Sequence, residues 1–80
     1  MDKGRFNNHL GKFLQRKRKE LQMSQSDLAA KLGNNSQNIS RIERGELSPT
    51  LYWFSKLAEV FEQDLSTLIL EFEKDMQKHK

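Results

Sequence analysis

Ser24 to Gly45 reads SQSDLAAKLGNNSQNISRIERG, and the fold follows from how these twenty-two residues divide. Ser24 is placed to cap a helix start, with Asp27 three residues on at the positive end of the helix dipole. Leu28, Ala29 and Leu32 then share one helical face. Gly33 follows the last apolar residue, where a chain leaving a helix turns through a left-handed conformation that glycine adopts cheaply. Asn34, Asn35 and Ser36 are turn and cap formers. A second helical pattern runs from about Ser36 to Arg44, with Ile39 and Ile42 on its inner side and Gly45 at its end. Its outward residues are Ser36, Gln37, Ser40, Arg41 and Arg44, a surface of amides, hydroxyls and two guanidinium groups.

Outward from this pair, the rest reads as support. Asn7 or Asn8 is positioned to cap a first helix reaching Leu21, with Leu10, Phe13, Leu14 and Leu21 at helical spacing. Arg18 falls on that apolar face and therefore needs a partner, for which Glu43 is the candidate. The basic run Arg16 to Lys19 otherwise forms a solvated helix face with a diffuse positive field. Ser48 and Pro49 mark another helix start, continuing to about Phe61. Leu51, Phe54, Leu57, Ala58 and Phe61 form its stripe, while Tyr52, Trp53 and Val60 lie outside it. Trp53 either completes the edge of the core or sits in a subunit interface, where aromatic anchors are enriched. Asp64 can cap a last helix whose stripe of Leu65, Leu68, Ile69, Phe72 and Met76 continues almost to the end of the chain. Phe72 and Met76 either fold back or meet a second copy, and the second copy is the favoured expectation.

Eighty residues make one small domain, expected over 1–80 with a core fold at about 7–70 and a C-terminal helix extension at 71–80. A chain of this length buries only about 60% of its unfolded surface, so dimerisation would help it. There is no cysteine, which removes disulfides and thiolate metal sites and fits a reducing cytoplasm. The longest apolar run, Leu51 to Phe54, is far short of the ~20 residues of a membrane span, and the polar start MDKGRFNN has no secretory apolar core. The net charge of +3 hides an asymmetry. Residues 1–23 hold seven Lys/Arg against two acids, whereas residues 46–80 hold four against seven. The basic side thus goes with the first helices and the acidic side with the last.

Taken together, Arg18, SQSDLA opening the first motif helix, Gly33 in the turn, ISRIERG closing the second and SPT opening the next closely resemble the Cro and phage-repressor type helix-turn-helix family, also called XRE-type. The likeness covers roughly Leu10 to Ile69. It implies an all-α, compact five-helix repressor-like DNA-binding domain whose helices 2 and 3 form the helix-turn-helix. It also implies an ion pair between Arg18 and Glu43, in agreement with the burial argument. In such proteins the second motif helix enters the major groove while the first crosses the backbone. By motif position, Gln25 would bond a phosphate and brace the reading helix. Ser36, Gln37, Ser40 and Arg41 would meet base edges, Asn38 would touch base or backbone, and Asn35 and Arg44 would flank them on phosphates. Asn34 departs from the family, which often has an apolar turn residue there. Glu46 also departs, standing where relatives often carry a base.

The expected function is therefore sequence-specific binding of double-stranded DNA by a homodimer on a pseudo-palindromic operator, regulating transcription. Trp53, Phe72 and Met76 are the expected dimer interface. The alternative is an antitoxin-like module using the same fold to hold a protein partner such as a toxin. Catalysis is not expected, since His9 and His79 lie near opposite ends and no nucleophile-base set or phosphate loop has usable spacing. No cofactor, metal or membrane is expected.

Overall fold

The computed structural model describes residues 1–78. His79, and residues 79–80 of the expected C-terminal extension, lie outside the described residues. Five helices follow in order: α1 (Lys3–Glu20), α2 (Gln25–Leu32), α3 (Ser36–Glu43), α4 (Leu51–Val60) and α5 (Leu65–Lys78), with no strand among the described residues. The chain is organised as two units, Met1–Ser48 and Pro49–Lys80.

In the first unit α3 packs against both α1 and α2. Its buried apolar residues are Leu10, Phe13 and Leu14 of α1, Leu28 and Ala29 of α2, and Ile39 and Ile42 of α3. Gly11 makes the approach of α1 to α3 possible, because a Cβ there would lie 2.5 Å from the carbonyl oxygens of both Ile42 and Glu43. Gly45, at φ +78°, turns the chain out of α3 against Asn8, whose amide fills the space a Cβ would need.

The start of α1 differs from the sequence expectation. The N-cap is Asp2, whose side chain accepts from the Arg5 backbone N–H at 2.8 Å. Asn7 is instead buried within the helix, its Oδ1 accepting from the Ser48 hydroxyl at 2.6 Å. Leu21 is likewise not core. It is the C-cap of α1 and 46% exposed, because the next residue, Gln22, takes a left-handed conformation (φ 57°) that swings the chain off the helix face.

In the second unit α4 packs on α5. Thr50, rather than Ser48 with Pro49, caps α4, its hydroxyl accepting from the Trp53 N–H at 3.1 Å. Starting the helix at Leu51 leaves that residue in the first turn and exposed, whereas Phe54, Leu57, Ala58, Phe61, Leu68 and Phe72 are buried. Phe72 therefore does not project beyond the core as expected. It is covered by the chain's own atoms, 6% exposed. Trp53 and Met76 are half-buried. The large apolar side chains this unit leaves in solvent are Leu51 and Tyr52 on α4 and Leu70 on α5. No helix among the described residues is long and apolar enough to cross a membrane.

Candidate nucleic-acid interface

The helix-turn-helix is fixed locally before any tertiary contact is counted. Ser24 Oγ accepts from the Asp27 N–H at 3.0 Å while Asp27 Oδ2 accepts from the Ser24 N–H at 2.9 Å, a reciprocal capping box that satisfies two orphan donors at the start of α2. These bonds, the backbone one first, hold the Asp27 carboxyl below the usual carboxylate range. At the other end Gly33 adopts φ +65°, and the Asn34 N–H returns to the Ala29 carbonyl at 2.9 Å.

Asn34 then organises the turn. Its Oδ1 accepts from both the Asn35 N–H and Asn38 Nδ2, each at 2.8 Å. The polar side chain of Asn34 thus fixes the turn with two hydrogen bonds. Asn35 is the N-cap of α3, accepting from the Asn38 N–H at 2.8 Å. Its side-chain oxygen is thereby occupied, and its amide nitrogen remains as the donor side. Asn38 is half-buried with its amide nitrogen turned to Asn34, so it faces the turn more than the outside.

The inner side of α3 is held by Ile39, Ile42 and Glu43. Glu43 is the point where three helices meet. Its Oε2 lies 2.7 Å from Arg18 Nε, and its Oε1 accepts from Arg18 Nη2 and from Gln25 Nε2, both at 3.0 Å. Arg18 also donates through Nη1 to the Met23 carbonyl at 2.8 Å. The paired carboxylate raises the guanidinium's affinity for its proton. The side chains are only 8% and 2% exposed, so this is a desolvated, bidentate pair whose remaining polar atoms are largely engaged. Gln25, half-buried at the first position of α2, spends one amide proton on Glu43 and keeps the second.

The outer side of α3 carries two rows. Gln37 and Arg41 are exposed one turn apart, and Ser36, Ser40 and Arg44 run beside them with the two serines half-buried. Gln37 and Arg41 present a bidentate amide and a guanidinium fork, the two groups best suited to adenine and guanine edges. Arg44 is not open in the same way. Its Nε lies 2.7 Å from Glu46 Oε2, its Nη2 donates to Glu46 Oε1 at 3.3 Å, and its Nη1 donates to Ser40 Oγ. Sequence reading missed this contact because residues two apart do not meet on a helix; Gly45 folds the chain back so that they do. It also missed Asn7, Gly11 and Ser48, though a glycine inside an amphipathic helix is itself a sign of close backbone approach.

Comparison with known proteins agrees with this arrangement. The helix-turn-helix family model HTH_3 matches residues 14–68. The clp gene regulator ClgR from Corynebacterium glutamicum superposes with a TM-score of 0.81 at 16% identity, over 92% of this chain and 79% of that one, a likeness of fold. An HTH_3 family transcriptional regulator from Vibrio cholerae superposes with a TM-score of 0.76 at 27% identity, covering 88% of this chain. This chain spans 39% of the length of that Vibrio protein. No curated protein gives a significant match. With a capped helix, a glycine turn and a second helix whose outer face is polar, all lying within the matched segment, the chain belongs to the XRE-type helix-turn-helix family of DNA-binding proteins.

Proposed function

We propose that the protein is a sequence-specific regulator of transcription that reads double-stranded DNA with α3. The observation that carries this is the pairing of Gln37 and Arg41, exposed one turn apart on a helix whose inner face is pinned by Ile39, Ile42 and Glu43. A rigid helix presenting an amide and a guanidinium can place both against base edges in a major groove. Ser36 and Ser40 supply shorter contacts beside them, with Asn38 at the margin. Gln25 and Asn35, each with an amide proton to spare, bond the phosphates on either side. Apart from Arg18, which is paired with Glu43, the basic residues of the first twenty-three add a positive field on the same unit.

The protein works as a homodimer, two α3 helices about 34 Å apart reading a pseudo-palindrome. The exposed Leu51, Tyr52 and Leu70 support this, being apolar surface that a small domain gains by covering. Selection of bound sites from random duplex DNA tests the reading as a whole. Gln37→Ala and Arg41→Ala should each weaken binding to the selected site by about 5- to 150-fold, from ~1 to 3 kcal/mol per bidentate base contact. If neither changes affinity or preference, α3 does not read bases. Leu70→Asp should shift the sedimentation coefficient toward the monomer.

The same exposed apolar residues favour a second reading, an antitoxin-like module that holds a protein partner. Salt separates the two. DNA binding weakens with a log-log slope of about −0.9 per phosphate neutralised, and an apolar protein contact hardly responds.

A further inference from the structure

We propose that Glu46 is a positioning residue that holds Arg44 on the reading helix and off the DNA phosphates, so that this protein binds with one phosphate contact fewer than its sequence suggests. The proposal rests on the reading of α3 as the helix that enters the groove.

Three features of the clasp support it. The first is its geometry, since both carboxylate oxygens of Glu46 are engaged by one guanidinium, at 2.7 and 3.3 Å, and the third guanidinium nitrogen is spent on Ser40 Oγ. Arg44 thus has each of its nitrogens turned to a partner within its own unit. The second is the backbone. Gly45 at φ +78° brings residues 44 and 46 together, the Gly45 N–H donates to the Ile42 carbonyl at 3.0 Å, and the Glu46 N–H donates to the Arg41 carbonyl at 2.9 Å. Asn8 packs where a Cβ of residue 45 would lie, so the turn that forms the clasp is itself held by α1. The third is charge: Glu46 is an acid beside two arginines of the outer face, and Arg41 adds to the field of Arg44 at its carboxylate.

The clasp has two consequences for recognition. A carboxylate at the end of the reading helix repels a nearby phosphate, which keeps non-specific affinity low. Ser40, accepting a hydrogen bond from Arg44, has its own hydroxyl hydrogen left to donate, which suits acceptor groups on base edges. Glu46 thereby converts an arginine placed for sequence-independent attraction into part of the base-reading surface.

The test compares wild type, Glu46→Gln, Arg44→Ala and the double variant on the duplex selected by wild type, by fluorescence anisotropy over a range of KCl concentrations. Glutamine keeps the size of the side chain and removes the charge that competes with phosphate. Glu46→Gln should bind about 3- to 10-fold more tightly near 0.1 M salt, with a log-log slope steeper by about 0.9 as Arg44 reaches a phosphate. Arg44→Ala alone should leave the wild-type slope unchanged, and the double variant should return to it. A flatter slope for Arg44→Ala would mean that Arg44 already sits on a phosphate in the wild-type complex, and the proposal is overturned. It is overturned too if Glu46→Gln changes neither affinity nor slope, or if its gain survives in full without Arg44, which would be simple repulsion. Failure of wild type to select any duplex removes the groove-reading proposal as well; binding without a Glu46 effect removes only this one.

Discussion

Replacing Glu43 with glutamine should cost this protein a large part of its stability. The carboxylate takes three hydrogen bonds, two from Arg18 and one from Gln25, and its side chain is 2% exposed. Without its charge, a guanidinium that is 8% exposed keeps only the Met23 carbonyl as a full partner. Breaking one side of a buried ion pair costs about 3 to 5 kcal/mol. A chain of 80 residues has a total stability on the order of 4 to 12 kcal/mol. At roughly 4 to 8 °C per kcal/mol for a domain of this size, the melting temperature should fall by at least about 12 °C. Arg18→Met should do similar damage by stranding the carboxylate. The combination Arg18→Met with Glu43→Leu should return to within about 1.5 kcal/mol of wild type, because apolar groups of similar volume replace a desolvated pair with little loss. Thermal and urea unfolding of the four proteins, followed by circular dichroism, make the comparison. A shift below about 4 °C for Glu43→Gln, or a double variant no more stable than Arg18→Met alone, would refute the reasoning. The double variant also separates stability from recognition. Gln25 loses its acceptor there, so DNA binding should stay weakened even where the fold is restored.

Gly11→Ala should destabilise by about 3 kcal/mol, since the new methyl meets the carbonyls of Ile42 and Glu43 and no side chain can yield to relieve it. Gly33→Ala, with open space around it, should cost only the ~1 to 2 kcal/mol of a left-handed residue, and a larger loss than at Gly11 would contradict the packing described for α1 and α3. Asn35→Ala should cost about 1 kcal/mol through the lost cap, recovered by Asn35→Ser; a cap variant of unchanged melting temperature would refute the role. Asp27 and Glu46 are both held below their usual values, Asp27 by Ser24 and Glu46 by Arg44. Their contribution is therefore complete above the unfolded carboxylate values, about pH 4 to 4.5, and is lost as pH falls through the lower folded ones. Asp27→Asn should flatten the acid side of a stability–pH profile, and a profile as steep as wild type would exclude it as a source.

What the sequence discloses depends on how local each cause is. Ser24 and Asp27 meet across one turn, Gly33 supplies its own left-handed backbone, and Ile39 and Ile42 share a face by periodicity alone, so each of these follows from spacing. Where the true cause is tertiary, a local rule picks the wrong neighbour. Asn7 and Asn8 are good cap formers, but Asn7 is drawn inward by Ser48, forty-one residues away, and Asp2 caps instead. The run Ser48, Pro49, Thr50 offers two cap formers, and the one that is free of that distant bond takes the helix. Gln22 and Glu62 end helices in the left-handed region without glycine, so no composition signal marks them.

The outer face of α3 is the extreme case, because neither a family pattern nor periodicity says what a polar side chain is already bonded to. Gln37, Arg41 and Arg44 look alike as solvent-facing positions on one helix, yet Arg44 is held by Glu46 and Ser40. Asn38 is drawn to the turn by Asn34 in the same way. Both partners, Glu46 and Asn34, stand at positions where the resemblance implies a different type of residue. Each brings its own hydrogen bonds, Asn34 turning Asn38 toward the turn and Glu46 holding Arg44 where it lies exposed at the end of α3. Residues beside α3 thus fix the bonds of its outer side chains without changing the helix, and periodicity alone does not disclose those bonds.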